Sequence, residues 1–84
     1  MRFTKEAEMI RDKIPDMRLI YCVLNGLTYR QIGIKLYFYN ENKVKYRIRQ
    51  LFKMFNLASR RHLAYFAVVN NIVDMDLLEK YKDV

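Results

Sequence analysis

The chain has 84 residues, of which 52% are hydrophobic, and a formal net charge of +7 at pH 7. This length predicts one small domain, and the apolar fraction is ample for a folded core. No apolar run approaches the roughly 20 residues that cross a bilayer, and the start lacks the apolar centre of a signal peptide. We therefore expect a cytoplasmic protein without a membrane partner. The single Cys22 and the single His62 argue against a disulfide, a metal site, a cofactor or an enzymatic centre.

Helical spacing of apolar residues predicts an all-α protein made of short helices. The helices are expected at about residues 4–13, 16–24, 29–36, 41–55, 60–70 and 75–82. The polar side chains expected to cap helix starts are Thr4, Thr28, Asn40, Ser59 and Asp74. Thr28 and Gln31 together match a capping box, in which each side chain satisfies the other residue's free amide. Pro15 interrupts the first segment, and Gly26 and Asn56 are placed to end helices.

The positive charge is concentrated in one stretch of the chain. Residues 42 to 73 contain no Asp or Glu, whereas the rest of the chain balances its acids and bases. The basic residues of this stretch are Lys43, Lys45, Arg47, Arg49, Lys53, Arg60 and Arg61. Such asymmetry favours a polyanionic partner, of which nucleic acid is the commonest. A basic face that serves only solubility is the alternative.

The helix over residues 41 to 55 separates its apolar and its basic residues. At about 100° per residue, one stripe collects Val44, Ile48, Leu51 and Phe55, widened by Phe52. The opposite side carries Asn42, Lys43, Lys45, Tyr46, Arg49, Gln50 and Lys53. These side chains suit a DNA major groove, since Arg and Lys can bond guanine and Gln and Asn can pair with adenine. Together with the preceding short helix and the tight connection, this helix forms a helix-turn-helix arrangement. The N-terminal end of the preceding helix can hold a phosphate.

A series of separated residues follows one known pattern of spacing. Along the chain they are Gly26, Arg30, Gln31, Ile32, Gly33, Leu36, Val44, Lys45, Leu51, Phe55, Ser59, Arg60, Leu63, Ile72 and Val73. Over about residues 16 to 73 the chain thereby resembles the LuxR/GerE-type (FixJ- and NarL-like) DNA-binding domain of bacterial transcription regulators. With no domain expected before it, the chain is similar to stand-alone, GerE-like members. It departs from the family in the turn between Leu36 and Asn40, which holds one extra residue, and at Lys43, Arg47 and Met54.

The resemblance implies roles for exposed residues and a way of pairing. Base edges would be reached by Lys45, Tyr46 and Arg49. Phosphates would be held by Thr28, Tyr29, Arg30, Lys43, Gln50 and Lys53. The family dimerises through its last helix, and the residues expected at that interface in the helix over residues 60 to 70 and just beyond are Tyr65, Val68, Val69 and Ile72. The alternative is that the N-terminal segment covers this surface within the monomer.

We therefore expect a small bundle of four core helices that contains a helix-turn-helix. Residues 1–15 would form an N-terminal helical extension, residues 16–73 the DNA-binding domain and residues 74–84 a tail. The expected function is a homodimeric, sequence-specific regulator that binds double-stranded DNA with the helix over residues 41 to 55. The main alternative is a small interaction module that heterodimerises with a larger transcription regulator. RNA binding has less support, because no aromatic-bearing sheet or KH-type loop is evident.

Overall fold

The computed structural model describes residues 3 to 82, which form six α-helices and no β-strand. The helices are α1 (Lys5–Asp12), α2 (Met17–Leu24), α3 (Tyr29–Leu36), α4 (Glu41–Met54), α5 (Arg60–Val69) and α6 (Met75–Lys80). The all-α prediction is confirmed, and α3 and α4 form the predicted helix, turn and helix.

Polar side chains start the helices as the sequence predicts. The expected caps Thr4, Thr28, Asn40, Ser59 and Asp74 each accept a hydrogen bond from an amide in the first turn of the helix that follows. The capping box of α3 is complete, since the Gln31 amide donates to the Thr28 hydroxyl and the Thr28 amide donates to Oε1 of Gln31. Asp16 performs the same task for α2. Each cap satisfies an amide that the helix itself leaves unpaired.

Three of the helices end in the same way. Gly26, Asn56 and Asn71 follow α2, α4 and α5 with φ angles of 76°, 54° and 53°. In each case the next residue donates its amide to a carbonyl five residues back, the Schellman pattern. These next residues are apolar and buried, and they are Leu27, Leu57 and Ile72. The left-handed residue therefore turns the chain so that an apolar side chain packs back beneath the helix.

This pattern corrects the expectation for Ile72. Its side chain is 0% exposed, so its assignment to a partner surface is wrong. That assignment continued the helical spacing of α5 beyond its end, whereas α5 stops at Val69 and Asn71 redirects the chain into the core. Tyr65, Val68 and Val69 are exposed as expected. Residues 3 to 15 leave them uncovered, so the alternative of a covering N-terminal segment is wrong for the part of the chain that the structure describes.

The core forms around α2, which packs against α3, α5 and α6. The largest fully buried side chains are Ile20, Cys22, Ile32, Val44, Leu63 and Ile72. The extension α1 contributes Ala7, and the Arg11 guanidinium donates a hydrogen bond to the carbonyl of Ile72. The N-terminal segment is thus fastened to the end of α5, and the outward side of α4 stays open to solvent.

Candidate nucleic-acid interface

The core holds α4 by the apolar stripe that the sequence predicts. Val44, Ile48 and Leu51 are buried, and Phe52 and Phe55 are half-buried against the core. The Phe55 ring packs on Phe66 of α5 with 4.8 Å between ring centroids. Because one side of α4 is fixed by this packing, its opposite side is presented to solvent in a defined orientation.

The centre of that outward side is an open depression lined by long side chains with polar ends. The residues that line it are Tyr46, Arg49, Gln50 and Lys53. The amide nitrogen Nε2 of Gln50 donates to the Tyr46 hydroxyl at 3.1 Å, whereas Oε1 of Gln50 is buried and finds no partner among the described residues. Gln50 is therefore less available to a phosphate than expected. Arg49 and Lys53 are exposed and reach freely toward a ligand.

One flank of α4 faces the start of α3. Two cations lie near the Tyr29 ring, whose centroid is 5.9 Å from Nζ of Lys45 and 5.1 Å from the guanidinium carbon of Arg60. Arg60 is itself held by a hydrogen bond of 2.6 Å from Nη1 to the carbonyl of Leu27. Positive charge from α4 and α5 thus converges on the N-terminal end of α3.

The start of α3 adds unpaired amides to this flank. Thr28 and Gln31 cap each other, while the amides of Tyr29 and Arg30 stand in the first turn, where a helix offers no acceptor. The Arg30 side chain is exposed beside them. Helix starts of this kind favour anions. The structure therefore brings Thr28, Tyr29, Arg30 and Lys45 together, although Lys45 was expected among the base-contacting residues.

The other flank of α4 faces the start of α2. Because positions 43 and 45 are about 200° apart around a helix, Lys43 lies on the side opposite Lys45. Its amino group lies 5.5 Å from the centroid of the Tyr37 ring. Lys43 and Arg47 line a cleft of about 340 Å³ with Pro15, Asp16, Arg18, Leu36, Tyr37 and Phe38. Sequence reasoning gave no role to Arg18 here, because 25 residues separate it from Lys43 along the chain.

Asp16 organises this second flank. Its carboxylate accepts two hydrogen bonds of 2.9 Å from the Arg18 guanidinium and one of 3.0 Å from the Tyr37 hydroxyl. Partial burial favours the neutral carboxyl, but these hydrogen bonds outweigh it and hold the pKa of Asp16 below its usual value. Burial raises the pKa of Tyr37 to about 12, and the bond to Asp16 adds to that rise. The pair fixes the end of α3 against α2.

The turn between α3 and α4 is the least regular part of the interface. Phe38 and Tyr39 both adopt left-handed backbone conformations, with φ angles of 52° and 70°. For residues with bulky side chains this conformation costs roughly 1–2 kcal/mol each. Both side chains point into solvent, and Phe38 is 95% exposed. The sequence "YFYN" gave no sign that its first aromatic residue is buried while the next two are exposed.

Two further kinds of feature were sought in residues 3 to 82. These residues contain no helix long and apolar enough to span a membrane. They also contain no group of His, Cys, Asp or Glu side chains arranged to hold a metal ion. Comparison with protein-family models, with curated proteins and with solved structures gives no match for this chain.

Proposed function

We propose that the chain is a LuxR/GerE-type transcription regulator that binds double-stranded DNA as a homodimer and reads the major groove with α4. The observation that carries the proposal is the division of α4 into a buried stripe, an exposed polar centre and two cationic flanks. A helix lying in the major groove has base edges beneath its centre and one phosphate backbone along each side. The distribution of side chains on α4 matches this requirement.

The roles of individual residues follow from their positions on α4. Tyr46 and Arg49 lie in the outward centre and would contact base edges, with Lys53 beside them. Lys45 and the start of α3 would hold one phosphate backbone, and Lys43 with Arg47 would hold the other. Phosphate contacts fix the register of the protein on the duplex, whereas the central contacts select the sequence.

The exposed apolar side of α5 supports pairing of two copies. Tyr65, Val68 and Val69 are between 60% and 67% exposed and lie within two turns of one helix. A patch of this kind is typical of an interface, and a two-fold dimer uses the same patch on both copies. The DNA site would then be roughly palindromic, with half-sites about one helical turn apart. Such a regulator would act in the cytoplasm of a bacterium.

The proposal is tested by two triple variants that remove the same number of positive charges. One carries Lys45→Ala, Arg49→Ala and Lys53→Ala on α4. The control carries Lys5→Ala and Lys80→Ala, on α1 and α6, and Lys13→Ala, just after α1, and all three side chains are exposed away from α4. Binding to labelled duplex DNA is measured over a range of salt concentrations, because released counterions make phosphate-dependent binding fall steeply with salt.

We expect the α4 variant to lose at least about 100-fold in affinity, since it removes the base contact of Arg49, worth roughly 1–3 kcal/mol, together with the phosphate contact of Lys45 and the charge of Lys53. The control should stay within about threefold of the unmodified protein, because distant charges are largely screened. Equal losses in the two variants would mean that net charge alone attracts DNA, and the proposal would then be wrong.

The exposed side of α5 also favours the second candidate, an interaction module that heterodimerises with a larger regulator. In that case the α5 patch would be essential and the α4 face would be dispensable. Val68→Glu would abolish activity on the partner, whereas the α4 triple variant would retain it.

A further inference from the structure

The turn between α3 and α4 presents two aromatic side chains that the fold does not use. Phe38 is 95% exposed and Tyr39 is 76% exposed, although the core accepts their neighbour Tyr37. Both have positive φ angles, a conformation that is uncommon for any residue other than glycine and most unusual for bulky ones. Strained residues that gain no burial tend to occur where a ligand is contacted.

The turn is held firmly by hydrogen bonds. The amides of Tyr37 and Tyr39 donate to the carbonyl of Gly33 at 3.0 and 2.9 Å, and the amide of Asn40 donates to the carbonyl of Tyr37 at 3.0 Å. The Tyr37 side chain anchors the turn through Asp16. The backbone that carries the two exposed rings is therefore fixed, so little order has to be gained when they contact a partner.

The charges around the rings indicate which part of a nucleic acid they would meet. Tyr39 and Phe38 line a cleft with Asn40, Glu41, Asn42 and Lys45 at the start of α4. The start of the second helix is the end that approaches base edges in helix-turn-helix complexes. The carboxylate of Glu41 offsets the charge of Lys45 in this cleft, so the cleft attracts a phosphate less than the two flanks do, and the carboxylate can accept a hydrogen bond from the amino group of cytosine.

We propose that Phe38 and Tyr39 form a non-ionic contact of the protein with DNA, packing their rings against base edges in the major groove at the margin of the half-site bound by α4. This inference rests on the proposed function and extends it to residues outside the basic face. In a duplex the base faces are stacked on one another and only their edges are exposed, but apolar side chains such as Phe pack against the methyl group of thymine in the major groove. The pair thus adds affinity that does not depend on counterion release.

Salt dependence separates this contact from a phosphate contact. The double variant Phe38→Ala, Tyr39→Ala and the single variant Lys43→Ala are compared on the DNA site selected by the unmodified protein. We expect the aromatic variant to lose roughly 5-fold to 50-fold in affinity, from the apolar area that the two rings bury, with an unchanged slope of log affinity against log salt. Lys43→Ala should instead lower that slope by about 1.

Two control variants test whether the loss of affinity is specific to the rings of Phe38 and Tyr39. Met9→Ala removes an exposed apolar side chain from α1 and should leave DNA affinity unchanged. The exchange Phe38→Tyr with Tyr39→Phe keeps both rings and should retain binding within about threefold, since the apolar area available for packing is nearly the same. Thermal unfolding of each variant shows that it is folded.

The possible outcomes are distinct. Affinity lost without a change of salt slope, and kept by the ring exchange, supports the proposal. If the double variant binds the selected site as well as the unmodified protein, the inference is wrong while the proposed function stands. If the double variant loses self-association instead of DNA affinity, the rings serve a protein contact and the inference is overturned. If the unmodified protein selects no DNA, both proposals fail.

Discussion

The hydroxyl of Tyr37 donates a hydrogen bond of 3.0 Å to Oδ2 of Asp16, 21 residues earlier in the chain. Asp16 also caps α2 and pairs with Arg18. One carboxylate therefore connects the start of α2 with the end of α3, directly behind the turn that leads into α4. The orientation of the basic helix depends on this partly buried polar contact as well as on the apolar core.

The burial of Tyr37 and its hydrogen bond to Asp16 make the free energy of unfolding vary with pH in the alkaline range. The pKa of Tyr37 is raised from 10.0 to about 12 in the folded protein. The stabilisation that the protonated Tyr37 hydroxyl contributes is therefore complete below pH 10 and is lost as the pH rises toward 12. Tyr37→Phe should lower the free energy of unfolding at pH 7 by roughly 1–2 kcal/mol. It should also flatten the loss of stability between pH 10 and 12. Urea unfolding of both proteins from pH 7 to 12 measures the two effects, with Tyr65→Phe as an exposed control.

The ionised carboxylate of Asp16 makes the free energy of unfolding vary with pH in the acidic range. Its pKa lies below 3.8 in the folded protein, so its contribution is present above that value and is lost as the pH falls through the lower, folded-state pKa. Asp16→Asn should therefore be less stable than the unmodified protein at pH 7, with the difference shrinking below pH 4. A difference that stays constant from pH 7 to pH 2 would contradict the ionised contact.

The two glycines should respond in opposite directions to alanine. Gly26 has a φ of 76° with open space around a Cβ, so Gly26→Ala should cost about 1 kcal/mol through backbone strain alone. Gly33 lies within α3, and a Cβ there would meet the backbone of Tyr39 at 3.5 Å, an ordinary contact. Gly33→Ala should raise stability by up to about 1 kcal/mol through helix propensity. Denaturant unfolding that moves both variants the same way would contradict this difference.

Near the end of α5, a substitution in the core should change stability, whereas a substitution on the exposed side should change self-association. Ile72→Ala should cost about 2–5 kcal/mol because it opens a cavity in the core. Val68→Glu should leave the fold intact, since this side chain is 67% exposed, but should weaken the proposed dimer. Sedimentation equilibrium compares Val68→Glu with Met9→Glu, which places the same charge on exposed α1. Equal association in both variants would exclude the α5 patch as the interface.

Tyr29 offers a test of how the first flank works. If its ring positions Lys45 and Arg60, Tyr29→Phe should keep DNA affinity within about twofold and Tyr29→Leu should lose roughly 5-fold to 10-fold, because only an aromatic ring attracts the two cations. If its hydroxyl holds a phosphate, both variants should lose affinity equally. Fluorescence anisotropy with labelled duplex measures the difference.

The helix limits were predictable because they depend on neighbouring residues. A side chain such as Thr28 or Ser59 caps amides within three positions, so the sequence contains both partners. The apolar stripe of α4 was equally local, because helical spacing alone brings Val44, Ile48 and Leu51 to one side.

The remaining features depend on contacts between distant parts of the chain. The sequence did not indicate that Asp16 meets Tyr37 or that Arg60 meets Leu27, since no spacing rule joins them. Ile72 was misplaced because its position depends on the left-handed Asn71. Helical geometry alone separates Lys43 from Lys45 by about 200°, but the residues that each of them faces depend on how α2 and α3 pack beside α4.

A selection of binding sites from a random pool of double-stranded DNA, with the purified protein, tests the proposed function most directly. A regulator of this kind should enrich one discrete sequence of two-fold symmetry, with half-sites about one helical turn apart. Arg49→Ala should relax the preference at one position in each half-site. Recovery of unrelated sequences, bound weakly and released by modest salt, would contradict sequence-specific binding and reduce α4 to an electrostatic surface.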